Sequence, residues 1–243
     1  MPRNASSQVD QEQVAKDFDA LAADYEAKIN NVIAFGGREH QFYIDVKRDV
    51  MLGLLRETYG AVSDLTVLDL GCGLGAYHPG LKGQFRVLHG IDVSSESIDI
   101  ARAAHPEVQY ASYDGDALPY PDDSFDVIFT ICVMHHVPQP AWRSFVAEML
   151  RKLRRGGTAL VFEHNPYNPA TQYIVRSCDI DKDAVLLKPF HIRRMFRDAG
   201  FSKVDTRTIL SVPPTRPFLT AVDKALGHLP FGAQYYLKAT KPL

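Results

Sequence analysis

The sequence predicts an α/β fold in which a mainly parallel sheet is covered by helices on both faces. Three observations favour this class: strand-like segments alternate with helical patterns from residue 65 onward, the chain has 243 residues, and no internal repeat divides it. Such alternation is typical of parallel sheets, because parallel neighbours need a crossover connection. A chain of this length is compatible with one large domain. We therefore expect residues 1–243 to form a single domain.

Seven segments have the short apolar character of strands. They span residues 65–70, 87–92, 108–111, 126–131, 158–163, 204–209 and 234–240. No clear helical pattern separates the last two segments, which are joined by a long, proline-containing connection over 210–233. This connection leaves an antiparallel pairing open for them, whereas the earlier strands are expected to be parallel.

Apolar residues at helical spacing predict helices between and before these strands. Such patterns occur over 14–25, 42–54, 142–153 and 192–199. In the second of them Lys47 is expected on the solvent side. Ser94 is expected to cap a further helix, with Glu96 in its positive first turn. Gly156 and Gly200 are expected to end the last two patterns.

Composition and charge exclude several classes of protein. Hydrophobic residues make up 46% and charged residues 23% of the chain, and the net charge of −2 gives no general attraction to nucleic acid. No apolar run approaches the roughly 20 residues of a spanning helix, so no membrane insertion is expected. The three cysteines lack paired or metal-like spacing, which favours reduced thiols and a cytoplasmic location. We interpret Cys72 and Cys132 as small, inert fillers.

The most informative segment runs from Val67 to Gly75 and reads Val-Leu-Asp-Leu-Gly-Cys-Gly-Leu-Gly. Three alternating glycines after an apolar strand indicate a tight turn, at which a ligand meets bare backbone. Asp92 ends the next strand, where a carboxylate can accept hydrogen bonds from ribose hydroxyls. Dehydrogenases that bind nicotinamide cofactors carry similar features, so these residues alone leave the cofactor open.

The segment that separates the alternatives follows the third strand. It reads Tyr-Asp-Gly-Asp-Ala-Leu-Pro-Tyr-Pro-Asp-Asp-Ser-Phe-Asp over 113–126, and Met-His-His-Val follows the fourth strand over 134–137. With the glycine run, these motifs closely resemble the class I S-adenosylmethionine-dependent methyltransferases over residues 65–163. The resemblance implies a Rossmann-like sheet in the order 3-2-1-4-5-7-6, with strand seven antiparallel. It also implies S-adenosylmethionine as the cofactor and S-adenosylhomocysteine as its product.

The resemblance assigns the methionine and ribose parts of the cofactor to the first two strands. Asp69 and the backbone of Gly71 and Gly73 are expected to hold the methionine part. Cys72 lies between these glycines and is placed in the same site. Asp92 is expected to bind the ribose.

The remaining cofactor contacts implied by the resemblance lie further along the chain and at its beginning. Val93 is expected to flank the adenine. Asp114, with Gly115 beside it, is expected to contact the adenine amino group, rather than the acid two residues later. The backbone near Ile131 is expected to accept a hydrogen bond from the methionine ammonium. Tyr25 matches an aromatic residue that closes over the cofactor in similar chains.

Four residues that follow the fourth and fifth strands are candidates for catalysis, because open α/β sheets bind ligands at this edge. His136 is the first candidate for a general base and His135 the second, since an imidazole titrates near neutrality. Glu163 and His164 are candidates for contacting the acceptor or assisting its deprotonation. A structural interpretation stays open for both pairs, as a part of a loop or as a rigid turn at 165–169.

No metal site is expected. The residues from which one could be imagined are His135, His136, Glu163, His164 and His191. No two of them have the i, i+4 spacing of a metal-binding helix. The adjacent histidines are expected to point apart.

Additions to the cofactor-binding core over 44–163 are expected to choose the acceptor. They are a helical lid over 1–43 and two insertions over 164–188 and 210–233, whose mixed aromatic and charged residues suit a small molecule. We expect methyl transfer to an oxygen acceptor in bacterial-type natural-product, lipid or glycan biosynthesis, by a monomer or homodimer. A non-catalytic S-adenosylmethionine-binding module and an NAD-dependent oxidoreductase are the alternatives.

Overall fold

The computed structural model describes Lys16 and residues 39–178, 181 and 184–243. The helices in this part are α1 (His40–Tyr59), α2 (His78–Leu81), α3 (Ser95–Ala104), α4 (Trp142–Lys152), α5 (Pro169–Ser177), α6 (Pro189–Asp198) and α7 (Pro217–Leu226). The strands are β1 (Thr66–Leu70), β2 (Val87–Asp92), β3 (Gln109–Ser112), β4 (Phe125–Ile131), β5 (Leu153–His164), β6 (Ser202–Ile209) and β7 (Gln234–Thr240). None of these helices combines the length and apolar content that crossing a membrane requires. The helix expected over 14–25 lies outside the described residues, apart from Lys16.

All seven strands form one sheet in the order β3-β2-β1-β4-β5-β7-β6, which confirms the expected topology. Strands β1 to β5 pair in parallel, and β7 runs antiparallel to both β5 and β6. The carboxyl ends of β1 to β5 therefore meet at one edge of the sheet. In open α/β sheets this edge is where ligands bind.

The sheet has an apolar core on each face, because alternate residues of a strand point to opposite sides. Leu68 and Ile128 belong to the core that lies under α4 and α6. Their neighbours Val67 and Val127 belong to the core that lies under α1 and α2. Helices on both faces are thus confirmed, and burial on both sides explains why the central strands are continuous apolar runs.

The buried face of α1 differs from the predicted one. Its residues include Ile44, Lys47, Met51 and Leu55, so that Lys47 is 5% exposed rather than on the solvent side. The apolar residues of this helix occupy a broad arc around its axis. The centre of the buried face predicted from their spacing is off by about one residue, which is a rotation of about 100°. The correction places a buried ammonium group close to the carboxyl end of β4.

One predicted boundary is also wrong, and one helix was not predicted. α4 ends at Lys152 instead of Gly156, since Leu153 already pairs with Phe125 at the start of β5. The connection between β6 and β7 contains α7, which the apolar pattern missed. The buried residue of α7 is Asp223, and its carboxylate accepts backbone N–H bonds from residues 210–212 at 2.6 to 3.2 Å. The buried anchor of this helix is therefore a polar contact, while its apolar side chains stay partly or largely exposed.

Side-chain caps begin two helices at the ligand-binding edge. Ser94 accepts a hydrogen bond from the Ser97 N–H at 3.0 Å, as expected for the start of α3. Asn168 accepts one from the Thr171 N–H at 3.0 Å and begins α5. The segment after β5 is therefore a turn that leads directly into a helix.

Candidate active site

The glycine loop between β1 and α2 forms the first part of the site. Gly71 and Gly73 have positive φ angles of 81° and 50°. The N–H groups of Gly71 and Cys72 donate to the Ile91 carbonyl at 2.8 and 3.1 Å and tie the loop to β2. A Cβ on Gly71 would lie 2.5 Å from the Val133 side chain, whereas one on Gly73 would meet no described atom within 4 Å. The loop is packed at Gly71 and open at Gly73, where a ligand can approach the backbone.

Asp92 links this loop to the start of α3. Its Oδ2 accepts a hydrogen bond from the Gly73 N–H at 2.8 Å, and its Oδ1 accepts one from the Ser94 N–H at 3.0 Å. Burial raises the pKa of the Asp92 carboxyl, and these backbone bonds oppose the shift. The Val93 N–H is a third backbone partner of this carboxylate, which has about four acceptor positions in all. A ribose hydroxyl can therefore bind here without displacing the bonds to the loop, so the residues present fit the nucleoside part of the cofactor.

Asp69 is 2% exposed and takes part in a chain of side-chain hydrogen bonds. Its Oδ2 lies 3.1 Å from His78 Nε2, and His78 Nδ1 forms a short hydrogen bond with the Tyr110 hydroxyl. Burial raises the pKa of Asp69, while the bond to His78 lowers it. The chain braces β1 against α2 and β3, which the sequence did not predict. Contact of Asp69 with the methionine part stays a prediction.

The expected adenine side of the site lies after β2 and β3. Asp114 is exposed, and its Oδ1 accepts a hydrogen bond from the Asp116 N–H at 3.1 Å. Gly115 between them has a positive φ of 84°, so the acidic loop turns sharply at this point. Val93 is half-buried directly after Asp92. Tyr25 lies outside the described residues, and the adenine contacts stay predictions.

The second part of the site is a polar cluster after β4 and β5. Ile131 ends β4, and the segment that follows carries His135, which is 2% exposed. His135 Nδ1 donates to Glu163 Oε2 at 2.5 Å, and Glu163 Oε1 accepts the Met134 N–H at 2.8 Å. Both oxygens of one carboxylate therefore hold the segment after β4 against the end of β5.

Asp181 joins this cluster from the insertion over 164–188, although its contact with the histidines was not predicted. Its Oδ1 lies 3.5 Å from His135 Nε2 and 3.3 Å from His136 Nε2. The expectation that the adjacent histidines point apart is wrong, because the backbone turns there: the His136 N–H donates to the Val133 carbonyl at 2.9 Å. The two imidazole centroids are consequently 4.2 Å apart. One of the two reasons for expecting no metal site, the divergence of the adjacent histidines, is thus removed.

The two histidines carry different charges. Burial lowers the pKa of His135, but the carboxylates of Glu163 and Asp181 outweigh this effect and raise the pKa well above its usual value. Burial and the charge of His135 lower the pKa of His136. His135 is therefore charged and held between two carboxylates, while His136 is neutral near pH 7 and can accept a proton.

A further group that sequence analysis missed surrounds Cys132. Lys47 Nζ lies 3.8 Å from Cys132 Sγ, and the Lys47 side chain also bonds to Tyr77. Burial raises the pKa of Cys132, but the charges of Lys47 and His164 outweigh this effect and lower the pKa to about 7. This thiol is not the isolated filler that we expected. It forms a charged contact between α1 and the end of β4.

Comparison with known proteins agrees with this geometry. A family model described as a methyltransferase domain matches residues 68–161, which carry most of β1, all of β2 to β4, most of β5, the glycine loop, Asp92 and the two adjacent histidines. The uncharacterized methyltransferase YcgJ of Bacillus subtilis is 28% identical over 148 residues, which are 58% of this chain and 56% of that protein. This chain thus spans little more than half the length of that relative.

Two further similarities extend over more of the chain. The ubiquinone biosynthesis O-methyltransferase of Leptothrix cholodnii is 24% identical over 193 residues, which are 73% of this chain and 81% of that protein. A Thermotoga maritima structure, described as a possible histamine N-methyltransferase, superposes with a TM-score of 0.67 at 18% identity. It covers 92% of this chain and 98% of its own, and it shows the same fold. Together these similarities support a class I S-adenosylmethionine-dependent methyltransferase.

Proposed function

We propose that this protein transfers the methyl group of S-adenosylmethionine to an oxygen atom of a small molecule. The observation that carries the proposal is the placement of the two parts of the site on one edge of the sheet. Bound S-adenosylmethionine supplies a methyl carbon that a positive sulfur already activates. The residues of the chain then have to align the acceptor and exclude water, which can provide most of the rate.

The polar cluster after β4 and β5 favours an oxygen acceptor. A hydroxyl has to lose its proton as it is methylated, so a neutral group that takes or stabilises this charge is useful beside it. His136 is such a group, because burial and His135 keep its imidazole neutral. Glu163 and His135 are buried against each other, and we propose that they position this segment. The named O-methyltransferase among the relatives supports the same acceptor atom.

A buried amide near His164 indicates where a polar acceptor binds. Gln234 begins β7 and pairs with His164 across the sheet. It is 7% exposed, and its Oε1 has no hydrogen-bond partner within the described part of the chain. Turning the amide over would leave an unpaired N–H in the same place. Because an unpaired buried polar atom costs about 1–3 kcal/mol, we propose that a polar group of the acceptor satisfies it.

The walls around this edge suit a molecule with apolar as well as polar groups. Tyr167 and Tyr173 in the first insertion are 51% and 57% exposed, and Phe231 in the second is 65% exposed. Asn168 Nδ2 donates to the Phe231 carbonyl at 2.7 Å and joins the two insertions. Natural-product, lipid or glycan biosynthesis, a cytoplasmic location and a monomeric or homodimeric state are proposals at the same level. The proposed lid over 1–43 lies mainly outside the described residues.

The test is to incubate the full chain with S-adenosylmethionine labelled in the methyl group. The acceptors are a panel of phenols, sugars and hydroxy acids, each with the matching amine. We expect label on hydroxyl compounds. Binding of S-adenosylhomocysteine without any transfer of label would favour the non-catalytic binding module. NAD binding without S-adenosylhomocysteine binding would favour the oxidoreductase.

The role of His136 has a separate test once an acceptor is known. Replacement by alanine is expected to lower the single-turnover rate, because the group that faces the departing proton is lost. A decrease of less than about threefold would exclude His136 as the base, whichever acceptor is used.

A further inference from the structure

We propose that His135, His136 and Asp181 bind a divalent transition-metal ion of the zinc class. One ring nitrogen of each histidine and an Asp181 oxygen all lie within 4.8 Å of one another. Asp181 Oδ1 is 3.5 Å from one Nε2 and 3.3 Å from the other. Two ligand atoms bound about 2.1 Å from zinc at a tetrahedral angle are about 3.4 Å apart. The spacing around Asp181 therefore already matches two edges of a zinc tetrahedron.

Glu163 prepares His135 for this role. Its Oε2 accepts the Nδ1–H of His135 at 2.5 Å, and its Oε1 is held by the Met134 N–H at 2.8 Å. The imidazole is thereby fixed with Nε2 directed towards Asp181, and binding of the ion releases to solvent the Nε2 proton that His135 carries in the metal-free protein. Histidines that bind metals almost always donate their other ring N–H to a carboxylate, a carbonyl or a water, which fixes the tautomer. Glu163, His135 and Asp181 reproduce that arrangement from three separate segments of the chain.

The chemistry of the ligands selects the class of ion. Two imidazole nitrogens and one carboxylate suit zinc or its transition-metal neighbours better than magnesium or calcium, which prefer oxygen ligands. Three protein ligands also leave a coordination position for water or another ligand. The His136 and Asp181 side chains are 16% and 15% exposed, whereas His135 is 1% exposed. The open position therefore lies on the side of His136 and Asp181.

An ion at this position would serve the acceptor. It would lower the pKa of a hydroxyl bound beside it, so that the hydroxyl releases its proton to solvent before the oxygen attacks the methyl carbon. The carbon–sulfur bond then breaks, and its electron pair stays on sulfur. The ion replaces His136 as the base, because an Nε2 atom bound to the ion has no lone pair left for a proton. This role, unlike the metal site itself, rests on the proposed function.

Metal binding can be measured without cofactor or acceptor. The full chain is freed of metal with a chelator and titrated with Zn²⁺ in a calorimeter, and with Co²⁺ while its visible absorption is recorded. We expect one ion per chain and the intense absorption of tetrahedral Co²⁺. Anomalous diffraction from a zinc-soaked crystal should place the ion between His135, His136 and Asp181. Binding elsewhere, or no binding, would overturn the proposal.

Variants identify the ligands. Asp181→Asn and His136→Gln are expected to lose the Co²⁺ spectrum, and Glu163→Gln to weaken Zn²⁺ binding by about 10- to 100-fold. The matched controls Asp64→Asn and His191→Gln change exposed residues away from the cluster and should bind as the wild type does. Equal Zn²⁺ affinity in all five variants would contradict the proposal. If a ligand variant does not fold, the diffraction experiment on the wild type decides alone.

The outcomes separate this proposal from the proposed function. If one ion binds but no acceptor is methylated, the metal site is supported and the proposed function is contradicted. If methyl transfer persists at full rate in the metal-free protein, the proposed function is supported and the role of the ion in methyl transfer is contradicted. In that case a His136→Ala decrease would assign the proton to the imidazole itself.

Discussion

The two parts of the site lie on one edge of the sheet, yet they are built in different ways. The proposed cofactor site, called the cofactor part below, lies at the ends of β1 to β3 and consists largely of backbone groups held by one carboxylate. Asp92 reaches Gly73, 19 positions away, and Ser94, 2 positions away. The proposed acceptor site, called the acceptor part below, lies at the ends of β4 and β5 and consists of buried charged side chains. His135 and Glu163 are 28 positions apart, and Lys47 and Cys132 are 85 apart.

This difference teaches how each part tolerates change. Backbone groups in a glycine loop depend on the conformation of a few neighbouring residues, so a compact motif is enough to specify them. Buried ion pairs depend on every partner, since removing one leaves the other charge without compensation. Each mutation in the cofactor part should therefore lower the affinity for the cofactor by the contribution of one contact. Mutations in the acceptor part should lower the stability of the folded protein together with its activity.

The largest effect is expected for Glu163→Gln in the metal-free protein. The change removes the charge that neutralises His135 and weakens the support of the Met134 N–H. We expect the free energy of unfolding to fall by about 3 kcal/mol, as for other broken buried pairs. Urea unfolding measures the change. Glu57→Gln, which removes an exposed partner of Lys224, is the control and should cost less than about 1 kcal/mol. Equal losses would contradict the contrast between the two parts.

Asp92→Ala should have the next largest effect, this time on affinity. The variant loses the proposed ribose contacts and leaves the Gly73 and Ser94 N–H groups without their partner. Because hydrogen bonds to charged groups contribute about 1.5–3 kcal/mol each, S-adenosylhomocysteine binding should weaken at least about 100-fold in calorimetry. Asp116→Ala, which removes an exposed acid from the acidic loop, should leave the affinity unchanged. A small loss for Asp92→Ala would place the ribose elsewhere.

The cofactor part was largely predictable because its residues stand next to recognisable strand ends. Asp92 closes β2, and Gly71 follows β1 directly, so the strand pattern already located them. The seven-stranded order came from the resemblance of several motifs rather than from periodicity. Packing then added the chain from Asp69 through His78 to Tyr110, whose members no single motif joins.

The acceptor part was only half predictable, for a physical reason. His135, His136 and Glu163 were expected at one edge of the sheet because they follow neighbouring strands. Asp181 lies in the insertion that was expected to choose the acceptor, but its contact with the histidines was not predicted, since it follows α5 and belongs to no strand end. Lys47 was placed on the wrong face of α1, because its partner is a thiol that follows a distant strand. Tertiary partners of this kind are visible only after the fold is known.

Asp114→Ala tests the adenine side of the cofactor part and should have a smaller effect. Asp114 is exposed, and a single hydrogen bond to the adenine amino group is expected from it. Losing this bond should weaken S-adenosylhomocysteine binding about tenfold, which corresponds to about 1.4 kcal/mol. The same titration with S-inosylhomocysteine, which lacks the amino group, provides the control. The variant should bind both ligands equally, and a preserved preference for the amino compound would assign the contact to another residue.

The smallest effect is expected at Cys132, and it tests the charged contact of the acceptor part by pH. A thiol reacts with iodoacetamide as the thiolate, so its alkylation rate rises with pH through its pKa. The pKa of Cys132 is lowered to about 7 by Lys47 and His164 against the effect of burial. The alkylation rate of the Cys132 peptide, followed by mass spectrometry, should therefore have its midpoint near neutral pH.

Lys47→Met should move this midpoint upward, because the thiolate loses its nearest positive charge. An upward shift of one pH unit would lower the alkylation rate at pH 7 about fivefold. Lys82→Met removes an exposed lysine that pairs with Glu107 and should leave the midpoint in place. Cys72 serves as an internal reference, since burial raises the pKa of its thiol well above the usual value and should keep it unreactive. An unchanged midpoint in Lys47→Met would mean that His164 alone lowers the pKa of Cys132, and that α1 contributes packing but no charge to the acceptor part.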